Sequence, residues 1–273
     1  MTALLQTPST RMQRVHGAAS VRLTRAGLSD LRQQGSAKAL LPRTDDPAPE
    51  VVFLNTAGGV TGGDRLDYTL TLGAGAMATG ATQTAERAYR ATGETPGVVA
   101  TTIKVGADAR LDWLPQEVIV FDGAHLRRET EIDLSPGATV LSVDALVLGR
   151  VAHGEKVTSA RVDDVRTVRQ GGRLMHQEHV TLSPEALGSL DAFGDHRAFA
   201  TVVFIGPGAC DALGPLRAAL PTDGPVRAQA SAWDGRLVAR FAASTLAPLR
   251  RALIRAILPL RGRPVPRVWQ SDV

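Results

Sequence analysis

The sequence predicts a mainly β protein whose strands stack as a β-helix or solenoid, with about two α-helices, one of them near the C-terminus. Apolar and polar residues alternate with period two in many short segments, as in Leu66–Leu72. Gly, Pro and Asp separate these segments, as expected for turns. Turn-like segments also recur about every thirty residues, which is the spacing of stacked structural repeats.

The strands are predicted from the period-two pattern and from β-branched composition. In the segment Leu126–Leu134, an arginine, Arg128, interrupts the apolar phase. In chain order the predicted strands are Val51–Leu54, Leu66–Leu72, Val99–Val105, Arg110–Leu114, Val118–Phe121, Leu126–Leu134, Thr139–Val143, Val157–Val168, Arg173–Leu182, Phe199–Ile205, Val226–Trp233 and Arg236–Ala242.

A weak internal repeat favours stacking of these strands. Leu72–Ala76, Val105–Ala109 and Leu134–Ala138 each end one strand, turn and open the next, and Val168–Gly172 is a candidate fourth copy. Stacked β units and successive hairpins of a sandwich would both produce such a spacing. If the units stack, polar residues at equivalent positions line up at one edge as a polar ladder: Gln83, Gln116, Glu117 and Asp144.

Two main helices and one additional short helix are predicted. Thr245–Pro259 carries apolar residues at helical spacing, with a capping Ser or Thr before it. A second helix is predicted for Cys210–Leu220, ended by Pro221, and a short one for Gly27–Gln33. From position 236 to position 271 there are eight arginines and no acidic residue. This basic C-terminal region indicates either a solvated helix face or a docking surface for an acidic partner.

Composition narrows the class of protein. The 273 residues are 44% apolar, enough for a globular core. A single cysteine, Cys210, allows no internal disulfide, and we find neither a signal-peptide pattern nor an apolar stretch of membrane-spanning length. We therefore expect a cytoplasmic protein that does not enter a membrane. The high pI alone does not indicate nucleic acid, because the basic stretch has few interleaved aromatic residues.

A glycine-rich loop at positions 55–65 superficially suggests a phosphate site. Gly58 and Gly63 are spaced as in a P-loop, but the next residue is Asp64 where such a loop has lysine. A carboxylate repels phosphate and attracts cations, so we expect no nucleotide on this chain.

Five short motifs, in order and in spacing, resemble the urease accessory protein UreD family, also called UreH. They are the loop Asn55–Asp64, the segment Thr82–Arg90, the segment Trp113–Phe121, the segment Leu148–Glu155 and the C-terminal Pro266–Trp269. One position departs from the family pattern: Arg87 stands where the family has lysine, which keeps the charge but changes its shape.

The resemblance implies a single β-solenoid domain over residues 1–273, with residues 1–16 as a loosely ordered N-terminal segment. It also implies a scaffold that is not an enzyme. Such a scaffold binds the urease apoprotein and, with UreF and the GTPase UreG, delivers nickel to it along an internal passage.

Nickel in transit needs weak, exchangeable ligands, and carboxylates and amides bind it less tightly than thiolate or histidine clusters do. We therefore expect a transient nickel path whose carboxylates are Asp64, Glu117, Asp144 and Glu155, with Gln83 and Gln116 as polar neighbours. The sequence His176-Gln177-Glu178-His179 is a weaker candidate. On a strand its two imidazoles point to opposite faces, and only His176 and Glu178 share a side.

An alternative function is a β-rich hydrolase or isomerase that uses Asp64 or Glu117 as general base. The sequence has no G-x-S-x-G nucleophile elbow, and Cys210 has no nearby histidine in sequence. The scaffold hypothesis is therefore favoured over the enzyme hypothesis.

Overall fold

A computed structural model describes residues 14–150, 153–189 and 194–270. It confirms the mainly β prediction. The strands are β1 (His16–Thr24), β2 (Gly27–Gly35), β3 (Ala37–Leu40), β4 (Glu50–Asn55), β5 (Arg65–Leu72), β6 (Met77–Thr82), β7 (Glu86–Ala88), β8 (Gly97–Val105), β9 (Arg110–Leu114), β10 (Val118–Val120), β11 (His125–Leu134), β12 (Thr139–Leu148), β13 (Arg161–Gln170), β14 (Arg173–Leu182), β15 (Ala198–Ile205), β16 (Val226–Trp233) and β17 (Arg236–Ala243).

The strands form two sheets that face each other. The first sheet has the order β14-β13-β11-β8-β5-β1-β2, and the second has the order β16-β17-β15-β12-β9-β6-β4-β3, with β10 and β7 pairing beside β12. Between β4 and β13 the chain passes from one sheet to the other, and neighbouring strands of each sheet in this part of the fold pair in parallel. This is a two-sided β-helix, so the solenoid prediction is confirmed and the hairpin alternative applies only at the two ends.

The predicted repeat sets the register of the coils. Leu72 pairs with Val105, and Val105 pairs with Leu134. The backbone amides after these residues continue the ladder, because Gly106 donates to Leu72 and Ser135 donates to Val105. The fourth copy joins the ladder as well, with Gly171 donating to Leu134, but there the chain reverses into β14 as an antiparallel hairpin. Coiling stops at this point.

The core lies mainly between the two sheets. Phe53 packs against Tyr68 and Trp113 there, at ring-centroid distances of 5.2 and 6.1 Å. Trp113 also lies over Gly80 of β6, where an added Cβ would come within 2.6 Å of the indole. A side chain at that position would displace the ring, so this strand requires glycine.

Three helices are described: α1 (Pro184–Gly188), α2 (Leu213–Ala219) and α3 (Leu246–Arg261), which is followed by a 3₁₀ turn at Arg267–Trp269. Helices α2 and α3 cover the outer face of the second sheet at its C-terminal end, whereas Leu187 of α1 packs against the core between the sheets. Leu249, Leu253 and Ile257 of α3 are buried at helical spacing in a second core. Gly262 ends α3 in the left-handed conformation.

Two predictions concern the N-terminal part of the chain. The helix predicted for Gly27–Gln33 is wrong, because this segment is the edge strand β2, paired antiparallel with β1. Its side chains are mostly exposed on both faces, so the strand shows no period-two pattern. Of the predicted loose N-terminal segment, residues 1–13 lie outside the described residues, and His16 begins β1.

Candidate functional site

Three adjoining cavities meet at Asp144 of β12, inside the space between the two sheets. The first, of about 80 Å³, is lined by residues that include Gln83, Glu86, Gln116 and Asp144. The second, of about 440 Å³, is lined by residues of β14 and β16, among others, and the third, of about 20 Å³, is lined by residues that include His176 and Glu178. Asp144 lines all three cavities, so it stands where they converge.

An ion-pair cluster surrounds Asp144. Arg128 of β11 pairs directly across the sheet with Asp164 of β13. Its guanidinium contacts both Asp164 oxygens, at 3.0 and 2.5 Å, and also Asp144 on the facing sheet. Arg166 of β13 contacts Asp164 at 3.2 Å and Glu178 of β14 at 3.1 Å. Arg240 of β17 also contacts Glu178, at 3.2 Å, so three acids and three arginines share one inter-sheet network.

Burial and charge set the protonation of these acids. Burial raises the pKa of Asp164, but Arg128 and Arg166 together outweigh that effect and lower it below its usual value. Burial raises the pKa of Asp144, against the opposing attraction of Arg128 and Arg166. Burial also raises the pKa of Glu86, in the wall of the first cavity, to about 7. Around neutral pH the cavity wall therefore holds a carboxyl group close to its titration point.

The structure brings together part of the predicted polar ladder. Gln83, Gln116 and Asp144 all line the first cavity. The Gln116 amide nitrogen donates to the Val268 carbonyl at 3.0 Å, so the C-terminal segment holds this side chain in place. Glu117 does not line the described cavities, because its Oε2 accepts from Arg250 of α3 at 2.7 Å.

The other predicted carboxylates are occupied by local hydrogen bonds. The two oxygens of Asp64 accept from the backbone amides of Val15 and Thr61 at 2.8 and 2.9 Å. The Glu155 carboxylate accepts from the amide and guanidinium of Arg150, at 3.0 and 2.9 Å, and from the Asp122 amide. Asp64 and Glu155 therefore organise their loops.

The sequence pattern does not identify three members of this cluster. They are Arg128, Asp164 and Arg166, although Arg128 breaks the apolar phase of its strand. A charge at an inward position predicts a buried partner, since an unpaired buried charge is costly. The partner could not be identified without knowing which strands are adjacent.

The two histidines of β14 lie as the strand spacing predicts. His179 is exposed, and its Nε2 contacts Asp163 at 2.5 Å. His176 points inward, is 9% exposed and lines the third cavity together with Glu178. Burial lowers the pKa of His176, so its ring is neutral at pH 7.

The basic C-terminal region divides into an internal and an external part. Arg261 and Arg263 both bond the fully buried Asp112, at 3.0 and 2.7 Å, and both contact Asp46. These arginines hold the end of α3 onto the β-helix. By contrast, the exposed Arg251, Arg255 and Arg267 form no ion pair with the residues that the structure describes.

The fold and the cavity network define a β-solenoid protein with a buried ion-pair cluster inside an otherwise apolar core. Within residues 14–150, 153–189 and 194–270 no group of three or more His, Cys, Asp or Glu side chains is arranged to hold a metal ion. None of the helices described is long and apolar enough to cross a membrane.

The chain belongs to the urease accessory protein UreD family, whose family model matches residues 14–270. Relatives named urease accessory protein UreD include one from Paracoccus denitrificans, 49% identical over 95% of this chain and 94% of the relative. Another, from Cereibacter sphaeroides, is 49% identical over 98% of this chain and 99% of the relative. A third, from Rhizobium leguminosarum, is 44% identical over 97% and 99%. The resemblance found in the five sequence motifs is confirmed, and with it an accessory role in urease maturation.

Proposed function

We propose that this chain is a non-enzymatic cytoplasmic scaffold that binds the urease apoprotein and, with UreF and UreG, delivers nickel to it. Family membership supports the accessory role. The observation that carries the nickel step is the meeting of three cavities at one carboxylate, Asp144.

The chemistry of the cavity walls suits an ion that must leave again. Hard oxygen ligands hold Ni²⁺ less tightly than thiolates do. The Asp144 carboxylate is also shared with Arg128 and Arg166, so a passing cation competes with guanidinium groups for its oxygens. Competition of this kind lowers the affinity of any single site for the cation. Weak, successive contacts allow movement from one cavity to the next.

In this proposal Asp144 is the ligand on the path, and Gln83 and Gln116 are its polar neighbours in the first cavity. Asp64, Glu117 and Glu155 contribute only where their present hydrogen bonds open, since each carboxylate already has amide or arginine donors. They are secondary positions in this proposal, because none of them lines the three cavities.

The exposed face of α3 is the proposed docking surface for an acidic partner. Arg251 and Arg255 lie one turn apart on this face, next to Leu258, which is 41% exposed. The helix carries no acidic residue, so the face has uncompensated positive charge. A partner helix with acidic residues flanking an apolar position would match it in charge and in shape.

Co-expression tests the proposal. Urease is produced with the other accessory proteins, either with or without this chain, and the nickel content and activity of the purified urease are measured. We expect nickel-loaded, active urease only when the chain is present. Full nickel loading in its absence, at the same nickel supply, would reject the role.

A further inference from the structure

The side chain of His176 presents an unsatisfied nitrogen to the interior. The residue is 9% exposed, and its Nε2 has no hydrogen-bond partner in the part of the chain that the structure describes. A buried polar atom without a partner is costly, so such an atom is expected to have a ligand or a water.

The third cavity, of about 20 Å³, is where that ligand would sit. His176 lines it together with Asp144 and Glu178, and a volume of this size has room for a single water or ion. The oxygens of Glu178 are engaged by Arg166 at 3.1 Å, by Arg240 at 3.2 Å and by the Thr201 hydroxyl at 3.1 Å. Two buried nitrogens in the lining of this cavity have no hydrogen-bond partner among the described residues, Nε2 of His176 and Nε of Arg166, and only the imidazole is uncharged.

The chemical type of the ligands decides which cation a site in this cavity prefers. Carboxylate and carbonyl oxygens suit Mg²⁺, Ca²⁺ and Mn²⁺, whereas imidazole suits Ni²⁺, Zn²⁺ and Cu²⁺. A path lined only by oxygens would therefore discriminate poorly between nickel and the far more abundant magnesium. One nitrogen ligand in the third cavity, which shares Asp144 with the other two, would change that preference.

We propose that Nε2 of His176 is a transient nitrogen ligand that makes the passage select borderline divalent cations such as nickel over magnesium. The identity of the cargo rests on the proposed function. His176 acts with Asp144 and with water molecules, which fits the lack of a complete three-residue metal group among the described residues. The ion is held briefly rather than stored.

The same strand supplies a matched control. His179 lies three residues further along β14, on the opposite face, with its side chain 54% exposed and its ring paired with Asp163. A substitution there removes one imidazole from the protein without changing the cavities.

The test uses the full-length protein alone. Equilibrium dialysis against Ni²⁺, with and without excess Mg²⁺, compares wild type, His176→Gln and His179→Gln. We expect His176→Gln to lose at least about tenfold in nickel affinity measured against magnesium, and His179→Gln to change it by less than about twofold. Equal discrimination by wild type and His176→Gln would overturn the inference.

A measurement on the wild type covers the case in which His176→Gln does not fold. Paramagnetic Ni²⁺ broadens the NMR signals of an imidazole that binds it, so the ring signals of His176 should broaden at lower nickel concentration than those of His179. Ring signals of His176 that stay sharp throughout would also overturn it. Neither measurement involves urease. A failure of the chain to support urease activation would therefore count against the proposed function and not against this inference.

Discussion

Replacing Asp144 and Asp164 one at a time distinguishes a role in nickel passage from a role in the stability of the fold. Both acids bind Arg128 in the same buried network, but only Asp144 lines the cavities. Asp144→Asn and Asp164→Asn are near-isosteric changes that each remove one negative charge. We expect opposite rankings for stability and for nickel delivery.

The stability effect follows from the bonds that each carboxylate accepts. Asp164 accepts two bonds from Arg128 and one from Arg166, and its side chain is fully buried. Changing a charge-assisted bond into a neutral one costs about 1 kcal/mol, so Asp164→Asn should lower the free energy of unfolding by about 3 kcal/mol. Asp144 accepts one bond from Arg128 and has a longer contact to Arg166 at 3.7 Å. Its replacement should cost about 1–2 kcal/mol.

Urea denaturation and thermal melting measure the change in the free energy of unfolding. At roughly 2–4 °C per kcal/mol, Asp164→Asn should melt about 6–12 °C lower than wild type, and Asp144→Asn only a few degrees lower. The nickel content of co-expressed urease measures nickel delivery, at a temperature where both variants remain folded. There Asp144→Asn should lower nickel loading, while Asp164→Asn should retain it.

Nickel loading that simply follows stability would refute the reasoning. In that case Asp164→Asn, the less stable variant, would deliver less nickel than Asp144→Asn. The carboxylate of Asp144 would then be one more structural charge.

Three other predictions concern pH, packing and docking. Because the pKa of Glu86 is raised from 4.5 to about 7, the free energy of unfolding of wild type should fall relative to Glu86→Gln as pH rises through this range; a pH-independent difference in melting would argue against a buried Glu86. Gly80→Ala should cost about 1–3 kcal/mol in urea unfolding through its clash with Trp113, and an unchanged midpoint would contradict the packing. Arg251→Glu with Arg255→Glu should abolish salt-sensitive partner capture in pull-down assays, whereas retained capture would place docking elsewhere.

The sequence predicts the β-helix well because its determinants are local. Period-two alternation marks strands such as β5 and β11, and the recurring turns after Leu72, Val105 and Leu134 set their register. The edge strand β2 escapes prediction because exposure on both faces removes the alternation. β6 escapes it because small residues, among them Gly80, lie under the Trp113 ring.

The site was predicted only in part, since it depends on contacts between distant strands. The stacking argument correctly groups Gln83, Gln116 and Asp144, because equivalent positions of successive coils lie side by side. It cannot tell that Glu117 turns to Arg250 of α3, which is 133 residues away in the chain. The same limit applies to the C-terminal arginine Arg261, whose partners Asp46 and Asp112 come from the N-terminal half of the chain.

Anomalous scattering at the nickel edge from nickel-soaked crystals tests the transit account most directly. The account predicts a partly occupied nickel peak within the inter-sheet cavities, with Asp144 among its ligands, and loss of that peak in Asp144→Asn. Nickel bound only to exposed groups such as His179, with the interior cavities empty at saturating nickel, would contradict it.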